Sequence, residues 1–197
     1  VQNADLEDFL SDKCLQYHYL TDSFVRRFEF SSKRNTHTVL FDLYDESYTM
    51  ELEDFCDACK IPQWGSLSEP HKSEYNDFLA SVTVGETRNI TQASIGSIYF
   101  PAIHYFALFI GRCINGKHDH SHLCASDLSV LKCAVLDDKR YNLGAIVARR
   151  LHHNAKDGDL FGGIYATRLA NYLGVPIRGY DMELPPAFLD YEALVRY

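Results

Sequence analysis

Two periodicities divide this chain, and together they constrain its fold more than any single motif. In "HTVLFDLY" (His37–Tyr44), Thr38, Leu40 and Asp42 alternate with Val39, Phe41 and Leu43, the period-two pattern of a strand with one buried face. "SYTM" (Ser47–Met50) follows after the turn residues "DE", so the two pieces predict an antiparallel hairpin. "FVRRFEF" (Phe24–Phe30), set off by the polar "SSKRNT", fits a third strand or the continuation of a preceding helix. From Thr91 onward the period changes to that of a helix. Ile95, Ile98, Tyr99, Ile103, Phe106 and Ile110 are expected to line one face of a core helix that Gly111 to Gly116 brings to an end.

The remaining elements read as helices. Leu6, Phe9, Leu10, Cys14 and Tyr17 form an apolar stripe near the start. "ELEDFCDACKI" (Glu51–Ile61) opens on acidic residues that suit the positive end of a helix dipole. Its inner face is Leu52, Phe55, Cys56 and Cys59, and Pro62 ends it. Residues Gln63 to Asn89 are loop-rich, with one or two helical turns in "SEYNDFLASV". Ser126 and Asp127 are candidate caps for "LSVLKCAVL", and Asn142 for a helix over Tyr141–Ala155 whose last turn holds His152 and His153. A final helix after "GDLFGG" is stopped by Gly174 and Pro176. These elements predict a mainly α (α+β) fold, a helical bundle-like domain with a small N-terminal antiparallel β-hairpin. The expected layout is an N-terminal helical arm over 1–23, one domain over 24–177 and an exit segment with a short helix over 178–197. Val1 is not an initiator methionine, which points to a piece of a longer reading frame.

Composition removes several classes of function. An apolar fraction of 46%, with 13 tyrosines and 12 phenylalanines, describes a packed globule and not a disordered chain. The longest apolar stretch, Ile98–Ile114, contains Pro101, His104 and Arg112 and falls short of a bilayer span. No targeting segment is visible, and six irregularly spaced cysteines suit a reducing, intracellular setting, cytoplasmic or nuclear. The formal charge of −8 lacks the basic excess by which nucleic-acid binders hold phosphates.

Three constellations could carry chemistry. Cys56-x-x-Cys59 with His120 and Cys124 has the ligand types of a zinc site. Against it, Cys56 and Cys59 belong to the apolar stripe of a short helix, and the second pair lies beyond a long helix. "GKHDHSHLC" (Gly116–Cys124) places His118, His120, His122 and Cys124 together, residues able to serve a metal-dependent enzyme. A polar loop between two apolar helices accounts for them equally. Arg26, Arg27, Lys33, Arg34, Arg149 and Arg150 could form a nucleic-acid-binding face if folding gathers them. "GDLFGG" lacks the lysine and Ser/Thr of a P-loop and follows a helix, so its glycines are expected to serve a turn or close helix packing. No nucleophile-elbow, zinc-protease or calcium-loop motif is present. No catalytic residue and no cofactor is expected.

The order of features carries a resemblance. A β-hairpin leads into "YTMELEDFCDACKIPQWG", followed by "IYFPAIHYFALFIGRCINGKHDHSHLCASDLSVLKCAVLDDKRYNLGAIVARRL" and "DLFGGIYATRLANYLGVPI". This resembles the gag-associated domain of plant Athila-type (gypsy class) LTR retrotransposons, over roughly Phe24 to Ile177. The histidine-rich loop and the cysteines at Cys56 and Cys59 depart from the family's pattern, which has small apolar residues at the latter positions.

The resemblance implies no active site. It implies a non-enzymatic protein-interaction or assembly domain derived from a transposable element and open to co-option by a plant host, with a protein partner or self-association. A gag-like nucleic-acid-binding role and a zinc-dependent enzyme built on the histidine loop are the alternatives. No membrane association is expected.

Overall fold

A computed structural model describes residues 5–11, 15–34, 36–83, 94–116, 122–157 and 162–184. Backbone contacts divide the chain into two compact units. One combines Asp5–Gln63 with Leu143–Pro186 and is called here the sheet unit; the intervening unit is centred on Trp64–Asn142.

The alternating stretch forms the middle of the sheet unit. Strands β2 (Glu29–Lys33), β3 (Thr36–Leu43) and β4 (Glu46–Glu51) make an antiparallel meander in that order, with Phe30 opposite Val39 and Phe41 opposite Tyr48. They follow α1 (Glu7–Ser11), the short β1 (Gln16–Tyr17) and α2 (His18–Arg26). Thus the expected arm over 1–23 contributes described elements to this unit. Val39, Phe41 and Leu43 are fully buried, while Thr38, Leu40 and Asp42 on the other face are half-buried. The "FVRRFEF" segment is divided between the two readings. Leu20, Thr21, Phe24 and Val25 are buried at helical spacing inside α2, and only Glu29 and Phe30 enter the sheet. Helix α3 (Leu52–Cys59) follows β4 directly and buries Leu52, Phe55, Cys56 and Cys59, the face its spacing predicts.

Aromatic rings fuse these elements. Phe28 lies 5.2 Å from Phe24, 5.8 Å from Phe55 and 6.5 Å from Phe41, ring centroid to centroid. Phe55 continues to Tyr165 at 6.4 Å, and Tyr165 to Phe9 at 6.0 Å. Each such pair adds roughly 0.5–1.5 kcal/mol beyond area burial. Tyr165 belongs to α8 (Gly163–Leu173), which packs on α2, α3 and β1, while α7 (Leu143–Asp157) packs on α2, α3 and β2. After α8 the chain returns to pair β5 (Glu183–Leu184) antiparallel with β1.

The intervening unit is helical. A 3-10 turn (Lys72–Tyr75) leads into α4 (Asn76–Val82), and α5 (Pro101–Phe109) runs into a π-helical turn (Ile110–Ile114) before α6 (Ala125–Leu136). The long core helix expected from Ile95 starts later than its pattern suggests. Pro101 occupies the first helical turn and disfavours α geometry in the residue before it. Ile95 therefore lies in a 3-10 turn, Tyr99 and Phe100 are exposed, and Ile103 and Phe106 are half-buried. The architecture is mixed α+β, with small antiparallel sheets. It is not a clear helical bundle, because β3 of the meander contributes Val39, Phe41 and Leu43 to the core of its unit.

The paired glycines before α8 serve geometry. Gly162 has φ +126°, and a Cβ there would meet Leu151 and Phe24 at 3.0 and 3.1 Å. At Gly163 a Cβ would collide with Gln16 Oε1 and lie 2.8 Å from Thr21 Oγ1, so α2 and β1 approach the helix start closely. Gly162→Ala is expected to cost about 1–3 kcal/mol from backbone strain alone. Gly174 caps α8 at φ +70° with nothing within 4 Å of a Cβ, so Gly174→Ala should cost only about 1 kcal/mol. Urea midpoints of the two variants check this order.

Candidate functional site

The zinc proposal divides over the two units. Cys56 and Cys59 lie in α3 of the sheet unit, whereas Cys124 precedes α6 in the intervening unit. His118 and His120 lie outside the described residues, while His122 is exposed and forms an isolated bridge with Ser94. Among the described residues no group of three or more His, Cys, Asp or Glu side chains could hold a metal ion. Burial, aided by Asp57 and Glu53, pushes the Cys56 thiol up to about 12. The thiolate that would bind metal or attack a substrate is therefore strongly disfavoured.

The polar groups flanking the histidine loop have structural work. Asp127 is buried; its Oδ2 accepts from the Cys124 N–H at 2.8 Å, and its Oδ1 accepts from Asn115 Nδ2 at 2.5 Å. The carboxylate thus caps the N-terminus of α6 and ties it to the residue that ends the π-helical turn. Ser126, the other expected cap, instead contacts Cys124 Sγ through its hydroxyl at 2.8 Å.

The six expected cations lie in the sheet unit, distributed about one strand. Arg26 and Arg27 precede β2, Lys33 and Arg34 end it, and Arg149 and Arg150 lie on α7, which packs along it. Arg149 places its guanidinium 5.7 Å over the Phe30 ring. Arg26 is paired with Asp22 at 2.7 Å, and Arg27 with Asp42 at 3.8 Å; Lys33 and Arg34 are exposed and show no ion pair among the described residues. His152 is not in the last turn of its helix, since α7 runs on to Asp157. Its Nδ1 lies 3.4 Å from the Phe30 amide and 3.3 Å from the Phe28 carbonyl, on the outer edge of β2.

A third cluster went unread in the sequence. Helix α2 starts at His18, and Tyr17 at its N-cap position supplies no side-chain cap, leaving amide donors that need partners. Asp181, from the segment expected only to exit the domain, supplies them. Its Oδ1 accepts from Tyr19 N–H at 2.8 Å and its Oδ2 from Leu20 N–H at 2.9 Å. The same Oδ2 accepts from the Tyr44 hydroxyl at 3.0 Å. Tyr44, at φ +57°, receives the Arg178 amide at 3.2 Å and carries the Arg178 guanidinium 4.4 Å over its ring. Arg178 reaches on to Asp45 at 2.8 Å and Tyr180 Oη at 2.8 Å. Burial, with Asp181 beside it, raises the Tyr44 pKa further above neutrality, so its hydroxyl stays a donor. The absent cap at Tyr17 was the one available signal, and it does not name the residue that replaces it.

This network holds an apolar surface in place. Tyr180 is 65% exposed, Met182 62% and Tyr19 53%. The Tyr19 and Tyr180 rings meet edge to face at 6.0 Å, and the Met182 carbonyl accepts from the His18 amide at 2.9 Å. Comparison with family models, with curated proteins and with solved structures finds no match for this chain. Among the described residues no helix is long and apolar enough to cross a membrane.

Asp181→Ala removes two helix caps and the Tyr44 acceptor together. It is expected to destabilise the fold by about 1–2 kcal/mol and to loosen residues 175–184. Denaturant titration, with hydrogen exchange at the Tyr19 and Leu20 amides, reads both effects.

Proposed function

We propose that this chain is a non-enzymatic, intracellular protein-interaction and assembly domain of plant LTR-retrotransposon origin. The ordered motifs quoted above support the origin. The observation that carries the contact function is the cluster of Tyr19, Tyr180 and Met182, exposed yet held by the Asp181 network. Tyrosine and methionine are enriched at protein interfaces, and a rigid aromatic surface loses little entropy on docking. The titratable groups described above fit the same reading, since they act as caps and latches inside the fold.

Light scattering over a concentration series is expected to show self-association that the Tyr19→Ala/Tyr180→Ala pair abolishes while the far-UV dichroism stays unchanged. A strict monomer that also retains no partner in pull-downs would sink the proposal.

A second reading, nucleic-acid binding, is favoured by one observation: three basic pairs surround β2. Asp22 and Asp42 offset part of that charge. If phosphates dock there, affinity must fall with salt, at a logarithmic slope of about −0.9 per phosphate on duplex DNA. Lys33→Ala with Arg34→Ala is then expected to flatten that slope by about two. A gel shift at low salt that shows no retarded band rejects this reading.

A further inference from the structure

The meander has two edges with different fates. In a two-residue hairpin the pair closing the turn exchanges hydrogen bonds, and bonded and non-bonded pairs alternate from there. Leu43 and Glu46 close the β3–β4 turn, so Phe41–Tyr48 and Val39–Met50 are also bonded pairs. The amides and carbonyls of Ser47 and Thr49 therefore point away from β3. The same count from Lys33 opposite Thr36 turns the Phe30 amide outward from β2. That amide is the one donating to His152, which confirms the alternation and shows the β2 edge covered by α7.

Nothing comparable covers the outer edge of β4 among the described residues. Among the described residues its only ladder partner is β3. Ser47, Thr49 and Glu51 are exposed, and their register runs without a bulge. The strand "ESYTME" holds no lysine or proline, two common means of closing an edge to further pairing. The chain around it is acidic, with Arg178 paired to Asp45 at its start. Residues 45–57 contain Asp45, Glu46, Glu51, Glu53, Asp54 and Asp57, all exposed, and no basic residue.

We infer that the outer edge of β4 accepts an extended, cationic segment of another polypeptide as a fourth strand. Backbone pairing with Ser47 and Thr49 supplies register. Alternate side chains of the incoming strand lie beside half-buried Tyr48 and Met50, where apolar residues fit. The intervening positions lie beside Ser47, Thr49 and the carboxylate of Glu51, where lysine or arginine fits, and the carboxylate of Glu46 ends the Tyr48–Met50 face. Among the described strands a second copy of this fold offers no suitable donor: its β4 edge is as acidic as the acceptor's, and its β2 edge is occupied by α7 and His152. The inference rests on the contact-surface reading, but on a different face from the Tyr19–Tyr180 cluster. Peptide capture and self-association are separate readouts, so either can fail alone.

The test uses the whole chain and two fluorescein-labelled peptides, one alternating lysine with valine and one alternating glutamate with valine, followed by anisotropy. The lysine peptide is expected to bind, more weakly as salt rises, and the glutamate peptide not to bind. Thr49→Pro deletes an outward amide while sparing the ladder to β3, and should weaken capture by about tenfold or more with the melting temperature little changed. Glu46→Lys with Glu51→Lys should reverse the preference between peptides, which decides the matter even if the proline variant misfolds. Equal binding of both peptides, no binding of either, or capture unaffected by a folded Thr49→Pro overturns the inference.

Discussion

The sheet unit depends on a buried arginine. Arg168, in the middle of α8, is 3% exposed; its Nη1 donates to the Cys59 carbonyl at 2.6 Å and its Nη2 to the Phe9 carbonyl at 2.7 Å. The guanidinium also lies 4.6 Å over the Phe9 ring. Removing such a charge from water costs several kcal/mol unless it is well bonded. The last carbonyls of a helix lack partners and carry the negative end of its dipole, so Cys59 at the end of α3 and Phe9 in α1 suit a cation well. The rest of the α3 terminus is closed locally, with the Ile61 amide on Cys56 and the Lys60 amide on Asp57. One side chain thereby joins the middle of α8 to the Phe9 carbonyl of α1 and the Cys59 carbonyl of α3, beside the Phe9 end of the aromatic run.

Asp181 repeats this logic with the opposite sign. A carboxylate far along the chain satisfies the first amides of α2, and the return segment that carries it is fastened to Tyr44 and Asp45. The same bonds that complete a helix end set Tyr19, Tyr180 and Met182 on the surface. His152 against β2 is a third instance, in which a helix side chain occupies the sheet's outer amide. On this reading, function follows from what these closures leave exposed in the described part of the sheet unit: the Tyr19–Tyr180–Met182 cluster and the edge of β4.

Much of the local structure was legible in the residues. Period-two alternation over His37–Tyr44 defined a strand with its buried face, since a one-residue slip would send Val39, Phe41 and Leu43 to solvent, and Ser47–Met50 is its hairpin partner. Leu52, Phe55, Cys56 and Cys59 lie on the inner face of α3 as their spacing implied. Gly174 ends α8 in a left-handed conformation, where glycine costs least. The helix expected from Ile95 was misplaced because periodicity counts apolar residues and gives no weight to Pro101. Arg168 and Asp181 escaped notice for a different reason: each acts on backbone atoms more than a hundred residues away, and backbone atoms leave no mark on the sequence.

What the sequence by itself determined is the set of pieces: which stretches are strand or helix, which face of each is apolar, and where glycine or proline interrupts. Those follow from short-range sterics and side-chain periodicity, whose causes lie within a few residues. The tertiary structure alone decided which helix ends are closed by remote side chains, that three basic pairs surround one strand, and that α7 covers β2 while no described element covers the outer edge of β4. Those outcomes depend on distances between residues remote in the chain, and local spacing carries no information about them.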